Sequence, residues 1–173
     1  MNHVWIIARK ELRSYFNSPL AYIFINVFLV VSAWLFFQNY FINAQADMRA
    51  FFDLIPWLFL FIIPAITMRI WAEEKKLGTI ELLLTMPIQD VHIVFGKFLA
   101  AFLFLAVTLL LSCMVPIIVR WSGPADLGVI FASYLGTLFL GGAYIALGMW
   151  LSAFTDNQII AFILSIVATF LLF

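Results

Sequence analysis

Few residues of this sequence have the types and spacing that chemistry requires. The nearest match to the phosphate-binding pattern G-x-x-x-x-G-K-[ST] is Gly96 and Lys97, which lacks the earlier glycine and the hydroxyl residue. His3 and His92 form no H-x-x-x-H pair and adjoin no paired acidic cluster, so no metal site is predicted. Cys113 is the single cysteine and has no disulfide partner in the chain. The sequence therefore predicts no catalytic, cofactor-binding or metal-binding residues, and a chain that is not an enzyme.

A second set of residues carries charge rather than reactivity. The stretch AEEKKLGTIELLLTMPIQD, residues 72–90, lies between apolar segments yet holds six of the chain's eighteen charged residues. Gly78 predicts a break, Thr79 can cap the helix that follows, and Glu81 falls in its first turn, where the helix dipole favours a carboxylate. Pro87 predicts the end of this short helix. The charged residues are Glu73, Glu74, Lys75, Lys76, Glu81 and Asp90.

The short helix carries an apolar stripe. Ile80, Leu83 and Leu84 recur at i, i+3 and i+4, so they share one helix face. A helix of about two turns is marginal in water without a supporting surface. A plain polar hairpin between two spans is the alternative, but that needs only a handful of residues rather than nineteen. We therefore predict a docking element that leans on the membrane surface, on neighbouring spans or on a partner protein.

The elements that carry these residues are membrane-spanning helices. The chain is 66% hydrophobic and 10% charged, with a mean hydropathy of +1.13 and zero formal charge, which predicts an integral membrane protein and gives no sign of nucleic-acid binding. Because lipid offers no partner for backbone polar groups, the predicted fold is all-α. The fifth apolar segment is short, and we expect the natural chain to continue past Phe173 rather than end against protein. The five segments are residues 20–42, 54–71, 91–119, 127–154 and 158–173.

Lysine and arginine are distributed unequally among the connecting segments. Seven fall on one side of the predicted membrane, and only Arg49 and Arg120 fall on the other. The positive-inside rule therefore predicts a cytoplasmic N-terminus and a cytoplasmic 72–90 loop. The seven are Arg9, Lys10, Arg13, Arg69, Lys75, Lys76 and Lys97.

Residues 3–17 precede the first span and are amphipathic. Lys10, Arg13 and Asn17 fall on the side opposite the apolar residues, with Arg9 at the border. This pattern predicts an interfacial helix that lies flat on the membrane and stops before Pro19. A positively charged anchor that only fixes topology is the alternative. The apolar residues are Val4, Trp5, Ala8, Leu12, Tyr15 and Phe16, and Ile6 and Ile7 point away from them.

The interiors of the spans hold almost no ionisable side chains, which disfavours an intramembrane enzyme. Lys97, at the start of the third span, is expected to extend its ammonium to the lipid headgroups, and Arg69 is close enough to the boundary to do the same. Proline and glycine residues predict kinks and close helix packing respectively. They are Pro56, Pro64 and Pro116, and, in the fourth span, Gly136, Gly141, Gly142 and Gly148.

The 72–90 loop also resembles a family signature. Eleven of its positions, at fixed spacing, resemble the signature of type-2 ABC transporter permeases. The flanking stretches DLIPWLFLFIIPAITMR, GKFLAA and SAFTDNQIIAFIL are similar to the permease subunit of gliding-motility-associated ABC transporters. The eleven positions are Glu73, Glu74, Lys75, Gly78, Thr79, Glu81, Leu82, Leu83, Thr85, Pro87 and Ile88.

The resemblance implies one permease domain over residues 1–173, of a type that has six spans, five of which are present here. It implies that the 72–90 loop is a coupling helix received by a separate cytoplasmic ATPase, which binds ATP and Mg, whereas this chain binds no cofactor. It further implies a second permease copy or paralogue, a bacterial inner (plasma) membrane and export. The residues assigned to ATPase coupling are Glu73, Glu74, Gly78, Thr79, Glu81, Leu82, Leu83 and Pro87, and those assigned to the interfacial helix are Trp5, Arg9, Lys10 and Arg13.

Two other functions compete with a permease. A non-transporting membrane anchor or assembly factor for a cytoplasmic ATPase fits the lack of an evident solute site in the spans. An intramembrane lipid-modifying enzyme is disfavoured, because the sequence has no catalytic constellation.

Overall fold

The computed structural model describes residues 3–43, 48–85, 88–122 and 126–172. Within these ranges every regular element is an α-helix and no strand occurs, which confirms the predicted all-α fold. The helices are α1 (His3–Asn17), α2 (Pro19–Asn43), α3 (Arg49–Thr67), α4 (Arg69–Lys76), α5 (Thr79–Thr85), α6 (Asp90–Ser112), α7 (Met114–Ser122), α8 (Leu127–Ser152) and α9 (Gln158–Leu172).

Four helical stretches of the described chain are long and apolar enough to cross a membrane. They are Pro19–Gln38, Arg49–Lys76, Asp90–Trp121 and Leu127–Ser152, and they overlap the first four predicted spans. The fifth predicted segment forms α9, an apolar helix of 15 residues. The chain is therefore a multi-pass membrane protein.

The third span is interrupted near its far end. α6 ends at Ser112 and α7 begins at Met114, with Cys113 between them. Pro116 explains the break, because a proline ring clashes with the carbonyl group four residues earlier, here that of Ser112. Pro116, predicted as a kink, thus ends one helix and starts another.

The second span is interrupted at a different point from its prolines. α3 runs through both Pro56 and Pro64 and ends only at Thr67. α4 begins at Arg69, and the backbone N–H of Met68 donates to the carbonyl of Pro64 at 2.9 Å. The break therefore lies at the charged end of the span, and it separates a membrane helix from the short helix α4.

α3 lies at the centre of the bundle and packs against α2, α8 and α9. Phe51, Ile55, Phe59 and Ile63 recur every four residues on one face of α3, and all four are fully buried. The ring of Phe59 lies 5.9 Å from that of Phe28 on α2, measured between centroids. This apolar face positions α4, because α4 follows directly from α3.

Glycines of α8 allow close helix contacts, as predicted for three of the four. A β-carbon on Gly141 would meet the side chain of Leu105, and one on Gly148 would overlap the side chain of Thr67. A β-carbon on Gly142 would lie 3.0 Å from the ring of Phe102. The fourth is different: a β-carbon on Gly136 would meet no described atom within 4 Å.

α1 packs along α6, and its bounds match the predicted 3–17 helix. Ala8 is fully buried, and Ile7 lies against Gly96, where a β-carbon would approach the Ile7 side chain to 2.7 Å. The Tyr15 ring lies 5.6 Å from that of Phe104. The sequence pattern placed Ile7 away from the apolar face; it packs because Gly96 leaves room for it.

Candidate functional site

The candidate site is built around α4, which connects the second span to α5. The hydroxyl of Ser152, at the end of α8, accepts from the backbone N–H of Trp71 at 3.3 Å and of Ala72 at 3.2 Å. It also donates to the carbonyl of Met68 at 3.0 Å. The first N–H groups of a helix have no partner within the helix, so this fully buried serine satisfies the start of α4 from another element.

Lys75 attaches the other end of α4 to the turn between α8 and α9. Its ammonium donates to the carbonyl of Ala153 at 2.5 Å and lies 3.9 Å from the carboxylate of Asp156. Asp156 is largely exposed, so the ion pair itself contributes little stability. The hydrogen bond to Ala153 is therefore the main fixing contact at this end.

Lys97 does not extend to the lipid headgroups, so the sequence-based prediction for this residue is wrong. Its side chain is only 4% exposed, and its ammonium lies 2.7 Å from Glu74 of α4 and 3.4 Å from Glu11 of α1. It also donates to the carbonyl of Ile70 at 3.4 Å and lies 5.2 Å from the ring centroid of Trp71. The two carboxylates neutralise the ammonium inside the protein, so it needs no headgroup.

The Lys97 ammonium joins three elements. Its own helix α6 carries it, Glu74 brings α4 to it, and Glu11 brings α1. We call these three residues the Lys97 cluster. In this cluster Glu11 of the interfacial helix and Glu74 of the predicted coupling loop bind the same buried ammonium.

Arg69 and Glu73 form a second ion pair within α4. The guanidinium donates from Nε to Glu73 at 2.8 Å and from a terminal nitrogen to the other carboxylate oxygen at 2.9 Å. This two-bond geometry fixes both side chains along the helix. Arg69 was expected to extend to the headgroups, but its guanidinium instead pairs with a carboxylate of the same helix.

Tyr15 of α1 lies close to these ion pairs. Its burial, and to a smaller extent the nearby Glu11 carboxylate, raise the pKa of the phenol above its ordinary value, so Tyr15 stays neutral.

α5 begins after a sharp turn at Gly78, whose φ of 69° is the left-handed conformation that glycine adopts without a steric cost. This confirms the predicted break. The Thr79 hydroxyl donates to the carbonyl of Glu74 at 3.3 Å, and its role as a cap of α5 stays a prediction. Thr79 therefore links α5 to α4. Glu81 lies in the first turn of α5, as predicted, and is exposed.

The structure locates only some of the remaining predicted residues. Leu82 and Leu83 lie in α5, their side chains falling outside the description, and Pro87 lies outside the described residues. On α1, the predicted interfacial residues Trp5, Arg9, Lys10 and Arg13 are all exposed.

Sequence reasoning missed two residues of this site. Lys97 carried a usable signal, since an ionisable side chain inside an apolar segment marks a functional site by default. Ser152 carried none: it contacts α4 about 80 residues away in the sequence, and a serine in a span is ordinary.

Comparison with known proteins identifies the family of this chain. Residues 12–173 match the family described as ABC-2 family transporter protein. One relative, described as probable ABC transporter permease protein NosY from Stutzerimonas stutzeri, is 30% identical over 173 residues, covering 86% of this chain and 60% of the relative. The chain thus spans about 60% of that relative's length. With its apolar helices and a family match over most of its length, the chain belongs to the ABC-2 family of transporter proteins.

Proposed function

We propose that this chain is the permease subunit of an ATP-driven exporter, coupled through α4 and α5 to a separate cytoplasmic ATPase that binds ATP and Mg. In this proposal the N-terminus and α5 face the cytoplasm, the membrane is the bacterial plasma membrane, and a second copy or paralogue completes the pathway. The resemblance to gliding-motility-associated permeases supports that subtype. Membership of a permease family agrees with the prediction that the chain has no catalytic activity of its own.

The single observation that carries the proposal is the set of contacts that attach α4, and through it α5, to the rest of the bundle. α5 follows α4 through Gly78, and α4 is attached to α6 and α1 by the Lys97 cluster and to α8 by Ser152. A force on α5 therefore reaches three parts of the bundle at once. Packed elements of this kind move as rigid bodies when a partner changes conformation.

The proposed roles of the loop residues follow from their positions. Glu74 holds α4 to Lys97 by an ion pair, Glu73 pairs with Arg69 within α4, and Gly78 supplies the turn between α4 and α5. Thr79 ties the start of α5 back to α4, and Glu81 presents a carboxylate to the ATPase. Leu82 and Leu83 are proposed to supply the apolar contact, and Pro87 the end of the helix.

The test replaces residues of α5 in a complex reconstituted with the ATPase. We expect Glu81→Lys to reverse the charge offered to the ATPase and Leu83→Pro to break α5, and both to abolish ATP-driven transport while membrane insertion stays normal. Asp90→Lys is the matched control, because it makes the same charge change at an exposed site after α5. Transport and ATPase stimulation are measured in vesicles.

The competing function is a non-transporting anchor for an ATPase. It is favoured by the pairing of Lys97 with two carboxylates, which leaves that buried cation no role in binding a solute. An anchor would bind the ATPase through α5 but move no lipid or peptide into or out of vesicles. Full coupled transport by both α5 variants would contradict the docking role of α5.

A further inference from the structure

α1 runs side by side with the first part of α6. The ring of His3 lies 5.9 Å from that of His92, and the ring of Tyr15 lies 5.6 Å from that of Phe104. These two contacts are twelve residues apart on both helices, so the helices advance together over about 18 Å. α1 therefore lies at the same depth, relative to the membrane, as the start of the third span.

Charged residues mark the two ends of the apolar part of the second and third spans. Arg49 and Arg69 are separated by about 30 Å of helix in the second span, and Lys97 and Arg120 by about 35 Å in the third. A hydrocarbon core of about 30 Å fits between the members of each pair. Glu11 of α1 lies 3.4 Å from Lys97, so the middle of α1 is at the edge of this core, where the lipid headgroups begin.

The apolar side of α1 is covered by the protein, whereas its cationic side is exposed. Ala8 is fully buried against the bundle. Arg9, Lys10 and Arg13 are exposed and lie within one turn of each other on the opposite side, which we call the cationic face of α1. None of these three cations forms a hydrogen bond or an ion pair with another residue that the structure describes. The one carboxylate of α1 belongs to the Lys97 cluster, so the cationic face has no counter-charge on its own helix.

Two exposed apolar side chains precede these cations on the same side of α1. Trp5 is 54% exposed and Ile6 is 46% exposed. Tryptophan is enriched where a membrane meets water, because its ring is apolar and its N–H is polar. An apolar pair followed by unpaired cations suits a membrane surface that carries anionic headgroups. An acidic protein surface would match the charges, but it would not explain why they lie at the depth of the headgroups.

We propose that the cationic face of α1 binds the headgroups of anionic phospholipids. Arg9, Lys10 and Arg13 would donate to the phosphate oxygens, and Trp5 and Ile6 would contact the adjoining ends of the acyl chains. Phosphatidylcholine would bind less well, because its own choline cation neutralises its phosphate. This binding requires neither an ATPase nor a transported solute.

The test measures which lipids lie next to α1 in vesicles that contain the full chain. A fluorophore is attached to Ser14→Cys, an exposed position one turn after Lys10, in a chain that also carries Cys113→Ala. The vesicles contain phosphatidylglycerol and phosphatidylcholine, and one lipid at a time carries a nitroxide quencher close to its headgroup. We expect quenching that corresponds to at least about fivefold enrichment of phosphatidylglycerol, as the attraction of one lysine or arginine to an anionic membrane surface implies. High salt should reduce this enrichment, because it screens exposed charges.

Variants separate the charge of this face from its structure. Arg9→Gln, Lys10→Gln and Arg13→Gln together should abolish the preference for phosphatidylglycerol. Arg9→Lys, Lys10→Arg and Arg13→Lys together should keep it, because the three charges are retained. Lys76→Gln is the matched control, because it removes an exposed cation about 10 Å of helix beyond Arg69, and it should leave the preference unchanged. Thermal unfolding in detergent checks that each variant is folded.

Three outcomes would overturn the proposal. The first is equal quenching by the two lipids around the unaltered chain. The second is a preference for phosphatidylglycerol that survives in the glutamine variant; if that variant also lost the ATPase, the cationic face would be a surface for a protein partner. The third is an equal loss of preference with Lys76→Gln, which would mean that net charge, and not this face, attracts the lipid.

Discussion

Lys97 offers one ammonium to two carboxylates that come from different helices. Taking a lysine out of water is costly, and here the cost is offset by Glu74, by Glu11 and by the carbonyl of Ile70. Removal of Lys97 leaves two carboxylates without their cation, and their side chains are only 22% and 20% exposed. Replacing Lys97 alone should therefore lower the free energy of unfolding more than replacing Lys97 together with one of its carboxylates.

Lys97→Met keeps most of the side-chain volume and removes the charge. We expect it to lower the free energy of unfolding by about 3–5 kcal/mol, because Glu74 and Glu11 lose their cation. Adding Glu74→Gln should restore part of this loss. The measurement is reversible unfolding in detergent micelles. Lys76→Met is the control at an exposed site, with an expected change within about 0.5 kcal/mol. A loss for Lys97→Met no larger than for this control would show that the cluster does not stabilise the fold.

At the scale of helices, the contact between α3 and α8 depends on Gly148, which has no side chain. Thr67 is fully buried at the end of α3, and its hydroxyl donates to the carbonyl of Ile63 at 3.0 Å. Its side chain occupies the space that a β-carbon on Gly148 would need. Ser152, one turn further along α8, bonds the start of α4. The approach at Gly148 thus sets the position of the contact at Ser152.

Gly148→Ala should therefore disturb both contacts. We expect it to lower the free energy of unfolding by about 1–3 kcal/mol, because overpacking forces the Thr67 side chain or the helix to move. Gly136→Ala is the matched control in the same helix, where the added methyl group meets no described atom. It should be neutral or stabilise by up to about 1 kcal/mol, since alanine is the better helix former. Equal effects of the two variants on unfolding would contradict the packing role of Gly148.

The helices themselves were predictable, because hydropathy and the length of a bilayer determine spans regardless of the partners of each residue. The break at Gly78 and the stop before Pro19 were also predicted, since both follow from local backbone chemistry. The contacts of Lys97 and Ser152 were not. These contacts depend on which helices are neighbours in the bundle, and a single sequence does not show which helices are neighbours. Lys97 was expected to extend to the headgroups because no local signal showed the carboxylates that reach it.

At the scale of the whole molecule, α4 connects the parts of the protein that lie on one face of the bundle. Glu74 reaches α6 and α1 through Lys97, and Lys75 reaches the turn after α8. Ser152 bonds the first half of this helix of eight residues, and Glu74 and Lys75 fix its end, so α4 has little freedom to move alone. α1 and α4 should therefore move together when the proposed ATPase acts on α5.

Distances between spin labels test this in the complex with the ATPase. Labels on Arg9→Cys and Lys76→Cys, in a chain with Cys113→Ala, report the separation of α1 and α4. We expect this distance to stay unchanged on ATP binding, whereas a second pair, Lys76→Cys with Trp121→Cys, should change by about 1–2 Å or more as the spans rotate. All three labelled sites are exposed, so the labels should leave packing intact.

The Lys97 cluster predicts the outcome of one further variant in the same experiment. With Lys97→Met, α1 loses its ionic connection to α4, and the distribution of Arg9 to Lys76 distances should broaden and shift on ATP binding. Lys76 to Trp121 distances serve as the internal reference, because neither site touches the cluster. If the α1 to α4 distance in the unaltered chain changes as much as this reference, the two helices do not move as one unit, and force must pass from α5 to the spans by another route.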